Sequence, residues 1–194
     1  KKVLITGVHG FVGSNLCKSL INDGAVVYGI YNNNSYESLL KIEEINNYNS
    51  VNISSLDLEK ISDLINDKEI EICFHLAAQV EVLKAFEFPY DTFNNNINST
   101  LTLCEALRKS SKIQSVTLTS TDKIYGDIDK SKLPYLEKYM PQPKHPYEVS
   151  KLICEYICKC YFENFGLPMT ITRPCNLYGP GQLNFSALIP SLIK

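Results

Sequence analysis

Short apolar runs rich in β-branched residues alternate with longer segments of helical periodicity along the whole chain. The apolar runs predict six buried strands, at residues 3–6, 25–30, 50–53, 70–76, 115–119 and 169–172. The segments between them predict helices, most clearly at residues 11–20, 58–65, 92–109 and 147–165. Because consecutive parallel strands are usually joined by helical crossovers, the alternation predicts an α/β fold with a doubly wound parallel sheet and helices on both faces.

One stretch interrupts this alternation, between residues 125 and 145. It is polar and contains Pro134, Pro141 and Pro143, which fit neither a regular helix nor a central strand. We therefore expect an irregular loop beside an active site. The last twenty residues predict another loop and a short helix.

Composition and charge limit the classes of function. The chain has 194 residues, of which 44% are hydrophobic and 21% are charged, enough apolar content for a substantial core. The formal net charge is −2 with no basic block, so we expect no nucleic-acid partner. No apolar run approaches the roughly 20 residues of a membrane span, and no signal peptide is apparent. We therefore expect a cytoplasmic protein without a membrane partner.

Cysteine usage indicates reduced thiols. Seven cysteines are an odd number in a chain that shows no secretory signal, which favours free thiols over a disulfide framework. Cys154 and Cys158 share one face of a predicted helix, but no histidine lies near them and no paired Cys-x-x-Cys occurs. We therefore expect no metal site.

Three glycines, Gly7, Gly10 and Gly13, follow the first predicted strand and open the first predicted helix. Glycine lets the backbone approach an anion, and a helix N-terminus supplies unpaired amides and a positive dipole. The Gly-x-x-Gly-x-x-Gly spacing differs by one residue from the usual dinucleotide fingerprint but stands in the same strand-to-helix position. It predicts a dinucleotide phosphate site to which Phe11 and Val12 belong. The alternative is a tight turn whose glycines serve only packing.

The second predicted strand ends without an acidic residue. An Asp or Glu about 20 residues beyond the glycines usually binds the adenosine ribose, but Tyr31 and Asn32 stand there. No Arg or Lys before Lys41 could receive a 2′-phosphate, so the residues leave NAD and NADP open, with a slight preference for NAD. Asp57, followed by Leu58, is a second candidate, either as a contact to the adenine amino group or as a helix N-cap.

Tyr147 and Lys151 lie four residues apart at the start of a predicted helix, on one face. A cation held near a phenol favours the phenolate, so the pair predicts a Tyr147 general base with a lowered pKa. The alternative interpretation is an ordinary surface pair.

Together, the glycine turn, the Tyr147–Lys151 pair and Thr119-Ser120-Thr121 at the end of a predicted strand resemble the extended short-chain dehydrogenase/reductase family. The resemblance extends to His75-Leu76-Ala77-Ala78-Gln79, to Asn96-x-x-Ser99-Thr100 and to the run from Arg173 to Gly181. It covers nearly the whole chain, although relatives usually have Gly in place of Ser99.

The resemblance implies a Rossmann-type NAD(P)-binding domain over residues 1–174 and the start of a substrate-binding region over residues 175–194. Relatives are longer, so we expect the chain to be a fragment, and they pair through two long helices, which implies a homodimer. Further cofactor contacts are implied for Leu76, Ala77, Ala78, Asn96, Thr119, Tyr147, Lys151 and Arg173, and contacts to a nucleotide-sugar substrate for Gln79, Thr121 and Asn176. His75 is expected to be a buried residue at a strand end, and Asn96 either orders the loop beneath the site or faces solvent.

Thr121-Asp122-Lys123 narrows the chemistry that the resemblance implies. Sugar-nucleotide epimerases of the family generally have small or neutral residues after the hydroxyl, whereas 4,6-dehydratases have an acid and a base there. The Thr-Asp-Lys form resembles CDP-glucose 4,6-dehydratases and inverting UDP-N-acetylglucosamine dehydratases. The corresponding enzymes acting on dTDP-glucose have Glu in the Lys position. The leading hypothesis is therefore a nucleotide-sugar 4,6-dehydratase, with CDP-glucose as the suggested substrate.

In such a dehydration Tyr147 would take the O4 proton through Thr121 while hydride leaves C4 for the nicotinamide. Lys123 would then remove the C5 proton, Asp122 would protonate the departing C6 hydroxyl, and hydride would return to C6. A 4-epimerase in which Asp122 and Lys123 are bystanders is the alternative enzyme. A dinucleotide-binding module without turnover is the alternative of a different class.

Overall fold

The computed structural model of the chain describes residues 1–31, 37–53, 57–129, 131 and 133–193. In chain order the strands are β1 (Lys2–Thr6), β2 (Val26–Tyr31), β3 (Asn49–Asn52), β4 (Ile72–His75), β5 (Ser115–Thr119) and β6 (Met169–Thr172). The helices are α1 (Phe11–Asn22), α2 (Leu39–Ile42), α3 (Leu58–Asp67), α4 (Val82–Glu87), α5 (Pro89–Arg108), α6 (Pro146–Phe165) and α7 (Leu188–Ile193), with a 3₁₀ turn at Asp122–Tyr125. These elements confirm the predicted α/β architecture.

All strand pairs are parallel, and the sheet order is β3-β2-β1-β4-β5-β6. The first strand therefore lies inside the sheet, where Val3 is in register with Val27 of β2 on one side and with Ile72 of β4 on the other. Chain connections leave β1 and β4 in opposite directions across the sheet. Such a reversal of strand order opens a crevice beyond the carboxyl ends of the central strands, the usual ligand site of this fold.

Apolar side chains of successive strand residues pack on opposite faces of the sheet. Leu4 belongs to a cluster with residues of α3, α5 and α6, whereas Val3 and Ile5 belong to a second cluster with Cys17 of α1 and Leu40 of α2. This alternation follows from the two-residue period of a strand and explains why Val3, Leu4 and Ile5 in the middle of β1 are all apolar.

The ends of the predicted strands and long helices differ from the observed ends by at most three residues. The largest difference is at α5, which begins at Pro89, because proline lacks only an amide that has no partner in the first helical turn. The sequence pattern did not predict α2 and α4, which have four and six residues and so show too little periodicity.

All seven cysteines are described and are free thiols. Among the described helices, none has both the length and the apolar character that crossing a membrane requires.

Candidate active site

The glycine turn lies between β1 and α1. Gly7 has a φ of +74°, and a Cβ there would lie 2.9 Å from the amide nitrogen of Ala77. A Cβ on Gly13 would lie 2.2 Å from the Gly7 carbonyl oxygen, so α1 packs directly against the turn. Gly10 is the N-cap of α1, which has no side-chain cap and no acidic residue in its first turn. The N-terminal amides of α1 are thus available to an anionic ligand.

A cavity of about 1420 Å³ lies beyond the carboxyl ends of β1, β2, β4 and β5. The sequence-predicted site residues that line it are Gly7, Gly10, Phe11, Val12, Gly13, Tyr31, Leu76, Ala77, Ala78, Thr119, Thr121, Lys123, Tyr147 and Asn176. The described candidates that do not line it are Asp57, Leu58, Gln79, Asn96, Asp122, Lys151 and Arg173. Asn32 lies outside the described residues.

Tyr31 occupies the corner of the cavity beside the glycine turn. Its ring packs against the His9 ring with 4.4 Å between the centroids, and His9 Nε2 lies 2.9 Å from the Tyr48 hydroxyl. Burial lowers the pKa of His9, and the charge of Lys41 lowers it further. Glu37 lines the same cavity. An aromatic pair therefore stands where the sequence lacked the usual acidic residue, and Glu37 is a carboxylate elsewhere in the lining of the same cavity.

Asp57 caps α3, one of the two roles considered for it. Its Oδ1 accepts hydrogen bonds from the amides of Glu59 at 3.0 Å and Lys60 at 3.3 Å. Hydrogen bonding from Lys60 lowers the pKa of Asp57. The neighbouring Leu58 side chain is exposed.

His75 is buried at the end of β4, where the sequence placed it. Its Nδ1 lies 2.7 Å from Thr6 Oγ1, and its Nε2 lies 3.1 Å from Thr100 Oγ1. Burial lowers the pKa of His75 to about 3, with a smaller contribution from the charge of Lys151. Thr6 Oγ1 also accepts a hydrogen bond from the Ala77 amide at 3.2 Å. Neutral His75 thus holds the segment that packs against Gly7.

Asn96 binds the segment after β4 at Gln79, two residues beyond Ala77. Its Oδ1 accepts from the Gln79 amide at 2.7 Å, and its Nδ2 donates to the Gln79 carbonyl at 3.1 Å and to Ser150 Oγ at 3.0 Å. Asn96 therefore orders the loop beneath the site and ties it to α6. The side chain of Gln79 is engaged with the backbone of Glu81.

Tyr147 is the second residue of α6 and is only 7% exposed. Its pKa is raised to about 12, mainly by burial and also by the negative charge of Asp122, although a hydrogen bond with the Thr121 side chain lowers it. The lowered pKa expected from Lys151 is therefore wrong for the chain by itself. Lys151 is also buried, and the cost of burying an ammonium lowers its own pKa, against an opposing effect of Glu155.

Asp122 and Lys123 begin the 3₁₀ turn that follows β5. Thr121 caps this turn, since its Oγ1 accepts from the Lys123 amide at 3.3 Å, and the same hydroxyl donates to Asp122 Oδ1 at 3.3 Å. Lys123 is exposed at the cavity wall that Thr121 and Tyr147 also line. A hydroxyl, a phenol, a carboxyl and an ammonium group are thus gathered in one region, the set that combined proton and hydride transfer requires.

Several cavity residues were not singled out by the motifs. Besides His9 and Glu37 they include Ser120, whose buried Oγ has no hydrogen-bond partner among the described residues, and Cys175. Ser120 stands inside the quoted Thr-Ser-Thr motif and Cys175 beside Asn176, so proximity to the motifs was the available signal. Glu37 lay too far from the end of the second predicted strand for the motif to include it.

The sequence matches the model of the NAD dependent epimerase/dehydratase family over residues 3–194. It is 32% identical over 204 residues to the dTDP-D-glucose 4,6-dehydratase of Homo sapiens, with 100% of this chain and 56% of the relative aligned. It is 29% identical over 205 residues to the CDP-glucose 4,6-dehydratase of Salmonella typhimurium, with 100% and 57% aligned. The chain thus spans little more than half the length of these relatives.

Among solved structures, the UDP-glucuronic acid 4-epimerase of Bacillus cereus, in complex with NAD, superimposes with a TM-score of 0.82. It shares 30% sequence identity, and the match covers 100% of this chain and 61% of the epimerase. Both dehydratases and epimerases are therefore similar to this chain. Because the family match takes in all but the first two residues, the protein belongs to the NAD dependent epimerase/dehydratase family.

Proposed function

We propose that this chain forms the cofactor-binding and catalytic part of a nucleotide-sugar 4,6-dehydratase. The observation that carries the proposal is the Thr121-Asp122-Lys123 turn, whose Thr121 and Lys123 line the same cavity as Tyr147. An epimerase needs only the hydroxyl and the phenol, whereas a dehydratase also needs an acid and a base for elimination across C5 and C6. The similarity to two 4,6-dehydratases supports this choice.

The residues fit NAD as the cofactor. Gly7 and Gly13 have no room for a Cβ, so no side chain covers the backbone at the start of α1. The free amides there can bind a pyrophosphate. Glu37 supplies a carboxylate to the cavity that Tyr31 also lines, and among the described lining residues Lys123 is the only Lys or Arg. A cavity with a carboxylate and only one cationic side chain among its described lining residues favours a ribose hydroxyl over the negatively charged 2′-phosphate. This supports NAD over NADP.

When bound, the nicotinamide would accept a hydride from C4 of the sugar and return it to C6 of the sugar. No second redox partner is therefore needed. The O4 proton passes through Thr121 to Tyr147. Because burial keeps the Tyr147 phenol protonated in the chain alone, the phenolate requires added positive charge. Lys151, one helical turn further along α6, already belongs to the chain in which this pKa is raised, so the added charge would come from the cationic ring of the oxidised nicotinamide.

Lys123 and Asp122 carry out the elimination in this proposal. Lys123 removes the C5 proton that the C4 ketone has made acidic and returns it to C5 when hydride adds to C6, and Asp122 protonates the C6 hydroxyl, which leaves as water.

The test is incubation of the full-length protein with CDP-, UDP-, GDP- and dTDP-glucose, followed by mass spectrometry and by the alkaline absorbance of 4-keto sugars. We expect one donor to lose one water, which also identifies the nucleotide base. A product of unchanged mass with inverted C4 would instead establish the 4-epimerase. Cofactor binding without any product would leave the non-catalytic dinucleotide-binding module.

The 4-epimerase is the second candidate because the similar Bacillus cereus structure is a 4-epimerase. Under that function Asp122 and Lys123 would be bystanders. Their separate contributions are therefore the sharpest discriminator between the two enzymes.

We also propose that the full-length protein is a homodimer. The outward surface of α6 supports this, because Tyr156 is 59% exposed and Phe162 is 55% exposed on a helix whose other side is packed in the core. Sedimentation of the full-length protein should give the mass of two chains, and Tyr156→Asp should shift it toward one. A monomeric wild-type protein would contradict the proposal.

A further inference from the structure

Arg173 directly follows β6 and makes a dense set of polar contacts. Its Nε donates to both carboxylate oxygens of Glu155, at 3.1 and 3.3 Å, and its Nη2 donates to Oε2 at 2.6 Å. Its Nη1 donates to the Tyr125 hydroxyl at 2.7 Å, and the guanidinium carbon lies 5.2 Å from the centroid of the Tyr125 ring. These bonds involve all three guanidinium nitrogens.

The partners of Arg173 lie on different segments around the site. Glu155 is on α6, one turn beyond Lys151 and two turns beyond Tyr147. Tyr125 ends the 3₁₀ turn that begins with Asp122 and Lys123. The ring of Tyr125 also stacks on Tyr135 of the loop before α6, with 5.0 Å between the centroids. One guanidinium thus joins the helix that bears the proposed base to the turn that bears the proposed elimination pair.

The energetics favour a rigid connection. The Glu155 side chain is only 5% exposed, and a carboxylate so buried needs a cation and several donors to offset the loss of hydration. The planar guanidinium satisfies Glu155 with two nitrogens and still directs the third at Tyr125, which the single ammonium of a lysine cannot do. Hydrogen bonding to Glu155 raises the pKa of Arg173, so the guanidinium stays charged.

We propose that Arg173 is a positioning residue that fixes the Asp122–Tyr125 turn against α6 and so sets the placement of Asp122 and Lys123 relative to Tyr147. This inference rests on the proposed dehydratase function. Arg173 does not line the cavity, so it acts through Tyr125 and Glu155 rather than on a ligand. A displacement of about 1 Å is enough to slow a proton transfer by one or two orders of magnitude.

The test uses two matched variants of the full-length protein. Tyr125→Phe removes the hydroxyl that accepts from Arg173 and keeps the ring in its stack. Tyr135→Phe removes the hydroxyl of the other ring of the same stack, which donates a 3.5 Å hydrogen bond to the Gly126 carbonyl. Both variants lose one oxygen atom, but only the first loses a contact to Arg173.

The first readout is amide hydrogen exchange, which needs neither substrate nor turnover. The reporters are the Gly126 amide, bonded to the Lys123 carbonyl, and the Gln142 amide, bonded to the Ile124 carbonyl. We expect faster exchange at both in Tyr125→Phe and wild-type exchange in Tyr135→Phe, with the amides of α6 unchanged in both. Equal exchange in all three proteins would overturn the inference, whatever the wild-type activity.

The second readout is a single turnover of the glucose nucleotide that the wild type dehydrates, followed by the absorbance of the reduced cofactor. In Tyr125→Phe we expect C4 oxidation to keep its rate within about twofold while elimination slows about 10-fold, so that reduced cofactor accumulates. An equal slowing of both steps would show a general structural role and overturn the positioning role. Absence of water loss in the wild type would instead disprove the proposed dehydratase and leave the exchange result to judge the contact itself.

Discussion

At the scale of single residues, burial is the strongest influence on the chemistry of the site. Tyr147 and Lys151 are both buried on α6 at the four-residue spacing noted in the sequence, and burial acts on each of them against its charged form. Four-residue spacing on a helix reveals that two side chains share a face, but not how deeply they are buried. The motif therefore identified the residues, whereas the direction of the Tyr147 pKa shift depended on how deeply its side chain is buried, with a further contribution from the Asp122 charge.

Tyr147→Phe in the full-length protein should remove hydride transfer in both enzymatic functions. The change deletes only the hydroxyl that accepts the O4 proton, and loss of a general base typically costs about 1,000-fold in rate. Reduced-cofactor absorbance after mixing with a substrate nucleotide sugar measures the step. Tyr161→Phe is the matched control on the same helix, since that hydroxyl bonds Glu105 instead. Wild-type rates in Tyr147→Phe would remove the phenol from the mechanism.

Lys123→Met should separate the two enzymes. Under the dehydratase function the variant still oxidises C4 but cannot remove the C5 proton, so water loss should fall by about 100-fold or more. Mass spectrometry of the product measures this loss. Lys112→Met, which replaces an exposed lysine that does not line the cavity, is the control. Unchanged product formation in Lys123→Met would make Lys123 a loop residue and favour the epimerase.

Asp57 and Arg173 show which contacts of the site the local sequence can indicate and which it cannot. Asp57 was left with two roles, and the observed N-cap follows from bonds only two and three residues away. The partners of Arg173 lie 18 and 48 residues away in sequence. No local spacing indicates such contacts, because the fold alone brings them together.

At the scale of elements, the site depends on how closely turns and helices approach each other. The glycine turn was predicted from spacing because its function requires a bare backbone between a strand and a helix. The short helices α2 and α4 were not, since neither completes the two turns that a periodic pattern needs. The central strands β1, β2 and β4 were recognisable because a doubly covered parallel sheet buries both faces, which leaves nearly continuous apolar runs.

Gly13→Ala tests the contact between α1 and the turn. The new Cβ would meet the Gly7 carbonyl oxygen at 2.2 Å, and such overpacking costs about 1–3 kcal/mol of unfolding free energy. Displacement of α1 should also weaken NAD binding about 10-fold or more. Urea denaturation and calorimetric NAD titration of the full-length protein measure the two effects.

Gly166→Ala is the control for that variant. Gly166 ends α6 with a φ of +67° and has open space around it, so the alanine should cost about 1 kcal/mol through backbone strain alone. NAD affinity should stay at the wild-type value. If Gly13→Ala retains wild-type NAD affinity as well, the turn is not the phosphate site.

At the scale of the whole molecule, stability and the site share the same central strands. His75 illustrates this, because it lies at the end of β4, binds Thr6 of β1 and Thr100 of α5, and supports the segment behind the glycine turn. A histidine held neutral in the interior makes the stability of the entire fold sensitive to acid.

The free energy of unfolding should therefore fall as the pH falls below 6.5. His75 has a pKa of about 3 when folded against an ordinary 6.5, so between these values the unfolded chain binds one more proton. The contribution amounts to about 2 kcal/mol between pH 7.5 and pH 5, with none above pH 7.5. Urea midpoints across this range should fall less steeply in His75→Gln, whatever its stability at pH 7.5. Parallel slopes in the two proteins would contradict the burial of a neutral imidazole.

The place of β1 inside the sheet also has a consequence for folding kinetics. β1 reaches β2 after a single helical crossover, but it meets β4 only after β2, β3 and the helices that follow them have been passed. The β1–β4 ladder thus closes a long loop, whose entropy must be lost before its contacts form, and such non-local pairing slows folding. During synthesis the crevice cannot exist until β4 and Ala77 have left the ribosome. The recovery of NAD binding during refolding therefore measures closure of this long-range ladder rather than formation of the glycine turn.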